Sequence, residues 1–452
     1  MPETPAKPRF HLARRCAAFV ATVLVGLLVA WSASSARLPE GAEVLEAKGE
    51  MRWLKGNLHT HTHWSDGDDY PEMVALWYRK RGYAFLVMTD HNTLQEGRKW
   101  VDLEKTKGGT VAYEKLKTEF PGDWVETRDR KGRTEIRLKT LEEIAMRVGV
   151  PGEFLLLQGE EISDRFEKLP LHLNVMNPAE TILPRGGASV YETLQANVDA
   201  VNDARRKSGR PMLVHVNHPN FGFAVRAEDL MRLRGGNFFE VYNGHPSVHN
   251  EGTDDHVGTE TMWDIILCRR LSDLRLAPMY GLAVDDGHNY HAIPSRASEP
   301  GRGWVVVLAD QLEPDALVSA LEGGRFYSSS GVSLRRIVRS SEGLEVDVEP
   351  VDGVTYTIEF LGTRAGFDRR TTPVIDKAKN KPLHATERPS LDVGTVFKKE
   401  AGTRASYKFS GDELYVRARV TSSRKHPNPA SRDEYERAWV QPVRGPMAAS
   451  AE

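Results

Sequence analysis

Cysteine is almost absent from this chain. Cys16 and Cys268 are the two in 452 residues, so a disulfide framework and a thiolate zinc site are both excluded. Any metal must be held by His, Asp and Glu. An excess of one charge is missing as well: 61 Lys and Arg face 63 Asp and Glu. That balance argues against a dedicated nucleic-acid binder, and no nucleic-acid partner is expected. No block of like charge is long enough to act as an interaction tail. The chain also lacks a G-x-S-x-G elbow or a comparable Ser or Cys nucleophile motif.

Long apolar runs are scarce. One, Ala17 to Trp31, follows Lys7, Arg9, Arg14 and Arg15 and precedes Ser34-Ser35-Ala36. It is short for a membrane span of about 20 residues, so residues 1–36 read as a signal peptide, with an uncleaved N-terminal anchor as the alternative. Arg14-Arg15 hints at twin-arginine export. Cys16 precedes the run and is misplaced for a lipoprotein. The expected location is outside the cytoplasm, periplasmic or extracellular, with membrane contact through this segment alone. Residues 37–50 read as a linker.

What the chain does have is histidine in one place. Gly56 to Gly67 carries His59, His61, His63 and Asp66. On a strand, alternation would point the three histidines the same way. Imidazole and carboxylate suit zinc, manganese or iron, and Ser65-Asp66-Gly67 is a turn signal that folds the aspartate back.

From Met51 the pattern alternates strands and helices. Strands are expected at Trp53 to His59, Ala84 to Met88, Phe154 to Leu157, Leu171 to Met176, Met212 to Val216, Phe238 to Tyr242, Met279 to Val284 and Trp304 to Leu308. Helices are expected at Pro71 to Arg81, Val190 to Ser208, Thr261 to Leu271 and Pro314 to Leu321. Ser189 with Glu192 and Thr140 with Glu143 form capping boxes. Residues 92–150 are a charged insert, a lid or a peripheral decoration, with a hairpin from Val125 to Leu138 turning at Lys131-Gly132. Roughly seven β–α units favour a barrel or a doubly wound sheet. His91, Glu161, His218, Asp286 and His288 fall at or just past the C-terminal ends of apolar strands, the rim where α/β folds place their chemistry. From about Ser330 alternation at period two takes over (Leu344, Val346, Val348; Tyr356, Ile358, Phe360; Leu414, Val416, Ala418, Val420). It predicts a C-terminal β-sandwich over 331–445.

His59-Thr60-His61 with Ser65-Asp66-Gly67, Thr89-Asp90-His91, Gly159-Glu160-Glu161-Ile162, Asn217-His218-Pro219, Phe239-Glu240-Val241-Tyr242-Asn243 and Asp286-Gly287-His288 follow one motif order. In that order the segment Met51 to Ser330 resembles the PHP (polymerase and histidinol phosphatase) superfamily. The resemblance looks closest to the branch of carbaryl hydrolase-like metallohydrolases. It implies an α/β fold, a distorted (β/α)7 barrel with a di- or trinuclear centre of divalent Zn, Mn or Fe. His59, His61 and Asp286 would hold one ion. Glu161 would bridge it to a second, completed by His172 and His218. Asp66, His91 and His288 would hold a third, although relatives often place a histidine where Asp66 stands. Asp286, His288 and Glu161 would be the catalytic set. The implied activity is that of an exported metal-dependent hydrolase of a small-molecule ester. A metal-bridging hydroxide in a phosphoesterase is preferred, hydrolysis of a carbamate, amide or carboxyl ester is the alternative, and a non-catalytic metal-binding envelope protein is a third reading.

His215 rivals His218 and Glu160 rivals Glu161 as ligands. His63 is on the presumed metal face but outside the motif. Glu240 is assigned to the support of a ligand, as is Asp285 unless it accepts a proton. His245, His249 and His256 belong to a loop after a strand end that lines the mouth or is simply solvated. Arg165 and Lys168 either face an anionic group or are surface charges. His384 and His426 read as surface residues of the β region.

Overall fold

The computed structural model describes residues 41–449, so the leader, its apolar run and Cys16 lie outside the described residues. Among the described residues no helix is long and apolar enough to cross a membrane.

One mixed sheet of thirteen strands organises the molecule. In spatial order its first nine strands are Tyr280–Val284, Phe238–Asn243, Leu213–Val216, Leu169–Met176, Leu155–Phe166, Phe85–Met88, Arg52–Asn57, Trp304–Ala309 and Phe326–Ser329. It continues without a break through Tyr435–Arg444, Glu413–Lys425, Tyr356–Arg364 and Thr395–Ala401. The strand order is open, yet the sheet curls. Thr60, just past one strand, bridges Gly287, just past another, and His61 N donates to Gly287 O at 3.0 Å. The curl brings the C-terminal ends of Arg52–Asn57 and Tyr280–Val284 together.

Parallel pairing joins Arg52–Asn57 to Phe85–Met88 and Phe85–Met88 to Leu155–Phe166. The middle strand of the three, Phe85–Met88, is apolar on both faces, as burial under helices requires; Phe85, Leu86, Val87 and Met88 are all buried. Three pairings depart from the expected β–α alternation, one of them the antiparallel pairing of Leu169–Met176 with Leu213–Val216. Leu155–Phe166 runs far past its apolar core and forms an antiparallel hairpin with Leu169–Met176, and Trp304–Ala309 is antiparallel to Arg52–Asn57. The hairpin turns at Glu167, whose φ is 54°. Glu-Lys carries none of the usual turn chemistry, so the turn was not legible.

The helices follow their sequence signals closely. Val190–Ser208 starts at Ser189, whose hydroxyl accepts from Glu192 N, and stops at Gly209 with φ 70°. Its capping box is half made, because the Glu192 carboxylate takes Ala188 N rather than Ser189 N. Leu141–Val148 has the full Thr140–Glu143 box. The insert folds into a three-stranded sheet with helices Gly109–Glu119 and Leu141–Val148. Its hairpin turns at Lys131-Gly132 as expected, both at positive φ. Leu116, Ile136, Leu138 and Ile144 pack it against Met73, Val74 and Tyr78 of helix Pro71–Arg79.

Glu43–Glu46, read from sequence as linker, is a strand paired antiparallel with Leu334–Ser340. Buried Leu45 anchors it. With Gly343–Val348 and Arg404–Lys408 it forms a four-stranded sheet. Leu344, Val346 and Val348 of that sheet pack on Ile358, Phe360, Val416, Ala418 and Val420 of the large one. The period-two residues beyond Ser330 therefore do face a common core. The large sheet itself passes through Phe326–Ser329 and Tyr435–Arg444 without a boundary.

Candidate metal centre

The loop after strand Arg52–Asn57 delivers His59 and His61. The strand ends at Asn57, so the three histidines do not share a face. His59 Nε2 and His61 Nε2 converge to 3.1 Å, and Asp286 Oδ1 lies 3.2 Å from each. His63 turns away instead. Its Nδ1 is 3.0 Å from Gly67 O, and its ring sits edge-on to Tyr70. Asp286 reaches the histidines from a left-handed backbone, φ 51°, a conformation that Asp tolerates better than most residues.

Asp66 comes back over His61 through a tight turn, in which Ser65 N and Gly67 N both donate to Thr62 O at 3.0 Å. A Cβ at Gly67 would sit 2.6 Å from His61 O, so the turn needs glycine. Asp66 Oδ1 then lies 3.3 Å from His288 Nε2, 3.5 Å from His61 Nδ1 and 3.6 Å from His91 Nε2. Asp90, which belongs to no ligand group, fastens this turn. It accepts from Thr62 N (2.8 Å), Ser65 Oγ (2.6 Å), Thr62 Oγ1 (2.8 Å) and Gln95 Nε2 (2.8 Å).

Glu161 stands in the middle, 1 % exposed. Its Oε1 is 3.0 Å from His172 Nδ1 and 3.5 Å from both His218 Nε2 and His59 Nε2. Its Oε2 is 2.9 Å from His91 Nδ1 and 3.3 Å from His61 Nε2. The two oxygens thus address different halves of the cluster. Asn217 Nδ2, which sequence reasoning missed, donates to Oε1 at 2.8 Å. Glu160 points away, taking Ile182 N at 2.8 Å.

All nine candidate residues meet here, in four overlapping groups whose ligand atoms lie within 4.8 Å of one another: His59, His61 and Asp286; His59, Glu161 and His218; His91, Glu161 and His172; His61, Asp66, His91 and His288. Glu240 supports them from behind. Its Oε1 is 2.7 Å from His59 Nδ1 and 3.2 Å from His215 Nε2, and its Oε2 accepts from His218 N at 2.7 Å. A carboxylate on Nδ1 fixes the His59 tautomer with the Nε2 lone pair turned inward. His215 is therefore a partner of Glu240, and His218 faces the cluster. Asp285 touches no histidine. Its carboxylate takes Asn57 Nδ2 (2.8 Å), Tyr78 OH (2.9 Å), Arg302 N (2.6 Å) and Gly303 N (2.9 Å). It holds the loop rather than a ligand. Arg165 and Lys168 are exposed at the hairpin. His426 is buried, not at the surface, and accepts from Asn428 N.

The electrostatics are those of charges forced together. Burial opposes the charged form of His59, but Asp286, Glu240 and Glu161 outweigh it and hold the imidazole well above its ordinary pKa. His91 is likewise raised to about 9, with burial overcome chiefly by Glu161. His61 is pushed down to about 3 by burial and the neighbouring cationic His288. Glu161 and Asp286 resist their burial and sit far below the usual carboxylate range because imidazoles surround them.

Three buried atoms of the cluster, Glu161 Oε2, His172 Nδ1 and Asp66 Oδ1, have no hydrogen bond of good geometry among the described residues. A buried polar atom left this way costs about 1–3 kcal/mol. Divalent cations bound by imidazole and carboxylate would remove that cost and separate the crowded nitrogens. The residues fit such ions.

No family model matches the chain, and no curated protein matches it. Among solved structures, one similar chain is a two-domain protein of Bacteroides vulgatus containing a predicted PHP-like metal-dependent phosphoesterase. It is 13% identical, with 87% of this chain and 96% of that one covered and a TM-score of 0.38. Another is an amidohydrolase of Chromobacterium violaceum with bound sulfate and no metal. It is 16% identical, with 54% of this chain and 93% of that one covered and a TM-score of 0.27. At these scores neither decides a reaction.

Proposed function

We propose that the protein is a metal-dependent hydrolase of the PHP type, and that it cleaves phosphoesters. The observation that carries this reading is the convergence of nine His, Asp and Glu side chains with Glu161 at their centre, several of whose buried ligand atoms lack a hydrogen bond of good geometry among the described residues. Divalent ions held there supply a Lewis acid and a water acidic enough to be deprotonated at neutral pH. His59, His61 and Asp286 would hold one ion, Glu161 would share itself between that ion and one on His172 and His218, and Asp66, His91 and His288 would hold a third. Glu240 keeps His59 in the tautomer that presents its lone pair. Asp90 and Asn217 fix the turn of Asp66 and the carboxylate of Glu161, so the donors are ordered before a substrate arrives. The curled sheet suits the distorted barrel of that superfamily. The leader would carry the enzyme out of the cytoplasm.

Hydrolysis of a carbamate, amide or carboxyl ester is the second reading. It is favoured by Arg165 and Lys168, which are exposed and make no side-chain ion pair or hydrogen bond to the cluster among the described residues. Elemental analysis of residues 37–452 purified without chelators tests the proposal, followed by a panel of phosphate, carboxyl and carbamate esters. Two or three equivalents of Zn, Mn or Fe with phosphatase turnover are expected. A folded protein that takes up no metal on reconstitution overturns it.

A further inference from the structure

The mouth of the site has two unlike sides, and His288 stands between them. On one side is Lys107, brought in by the insert. Its ammonium lies 3.3 Å from Asp66 Oδ2, the oxygen on the far side of the carboxylate from the His288 contact. An ammonium has three donors, one is spent on Asp66, and the side chain is 55% exposed. On the other side are Phe221 and His245. The Phe221 ring sits 5.1 Å from the His218 ring and 5.8 Å from His245, and His245 lies 5.7 Å from His288. Both are half-buried.

This second side is built rather than loose. Phe221 bridges Val248 through the backbone, and Asn220 Nδ2 donates to His249 O at 2.9 Å and Val257 O at 3.0 Å. These bonds zip the loop after His218 to the loop after Asn243. His245 Nδ1 accepts from Ser247 N at 3.1 Å, so the neutral ring carries its hydrogen on Nε2 and offers a donor.

We propose that this mouth is a two-sided subsite for an anionic ester that carries a planar ring. Lys107 binds the oxygens of the anionic group, and Phe221 with His245 packs the ring of the ester's other half. The physical basis is plain. A charge-assisted hydrogen bond from Lys107 favours anions over neutral esters. An aromatic wall beside the ligand imidazoles favours rings over short alkyl groups. The proposal names the substrate class of the hydrolase reading and rests on it.

The test uses phenylphosphonate and methylphosphonate, which do not hydrolyse, titrated by calorimetry into the metal-loaded chain. Turnover of phenyl phosphate is measured beside them. The wild type should bind phenylphosphonate several-fold more tightly than methylphosphonate. Lys107→Met should weaken both by about tenfold or more. Phe221→Leu should erase the preference for phenyl and spare methylphosphonate; Phe221→Leu is chosen because it keeps bulk, and Lys107 is exposed, so both variants should melt as the wild type does. Equal affinity of the wild type for the two phosphonates, or unchanged binding in Lys107→Met, overturns the subsite, whatever the turnover. Variant-sensitive binding without any turnover by the wild type leaves the subsite standing and removes the hydrolase reading instead.

Discussion

Two regions of this molecule bury charge, and they do so in opposite ways. Beneath the C-terminal strands, Arg417 and Asp264 are both almost fully buried. Arg417 Nε and Nη2 donate to the two Asp264 oxygens at 2.8 and 2.7 Å, Nη1 donates to Glu260 at 3.1 Å, and Tyr415 OH adds a bond to Asp264 at 2.8 Å. Every polar atom of Arg417 and Asp264 is used. At the histidine cluster, Glu161 and Asp286 are as deeply buried but the bonding is unfinished, because Glu161 Oε2, His172 Nδ1 and Asp66 Oδ1 meet their neighbours without a hydrogen bond of good geometry among the described residues. A closed network fastens one strand to one helix. An open one holds donors ready for something that is not protein.

The comparison breaks most visibly at Glu161. Glu161→Ala removes the carboxylate whose two oxygens face different halves of the cluster. Loss of turnover should be on the order of 10⁴-fold, about 5 kcal/mol of barrier, together with loss of bound metal by elemental analysis, while the protein stays folded by circular dichroism. Turnover near wild type would dissolve the distinction between the two regions.

Arg417→Ala attacks the closed network. It leaves the Asp264 carboxylate buried and unpaired, which should cost about 3–5 kcal/mol in urea unfolding, with metal content and turnover of the folded fraction unchanged. Arg417→Met combined with Asp264→Leu should recover most of that loss, since an apolar pair avoids the desolvation.

Glu72, buried on helix Pro71–Arg79 under the insert, is bonded in part. Its Oε1 accepts from Trp124 Nε1 at 2.8 Å, and its Oε2 has no hydrogen bond among the described residues. Burial raises its pKa to about 7 from 4.5. The folded state then binds the proton more tightly than the unfolded chain, so stability falls as pH rises from about 4.5 to about 7 and stays low above. Glu72→Gln should therefore stabilise the protein by on the order of 3 kcal/mol at pH 8 and by little at pH 4, read from urea unfolding at both. Equal effects at the two pH values would show that the carboxyl is not the cause.

Several ligand residues were legible because they sit where an apolar strand stops: His91 after Phe85–Met88, His218 after Leu213–Val216, Asp286 after Tyr280–Val284; Glu161 and His172 lie instead within the long hairpin Leu155–Phe166 and Leu169–Met176. What decides that position is local, so it survives in sequence. His63 was misplaced because alternation assumes a strand, and the strand had ended at Asn57. Asp90 and Asn217 act through contacts that no spacing reveals. Lys107 is forty-one residues from Asp66 and meets it only because the insert docks on helix Pro71–Arg79. The unbroken sheet through Phe326–Ser329 and Tyr435–Arg444 was hidden for the same reason. Period two tells which face of a strand is buried but not which strand lies beside it.

The smallest expected effect sharpens the comparison furthest, because Glu240 belongs to both kinds of network. It is fully bonded, as Asp264 is, yet its bonds go to His59 Nδ1, His215 Nε2, His218 N and Asn243 Nδ2. It closes its own bonding in order to keep the cluster's open. Glu240→Gln keeps the shape but removes the charge that orients His59 and raises its basicity. Partners of this kind are worth about 10–100-fold in metal affinity, so a competition titration against a chelator should show that loss, with turnover largely restored at saturating metal. Unchanged affinity would mean that Glu240 serves the packing of the sheet alone, and the line between the closed and open networks would then run in front of it rather than behind.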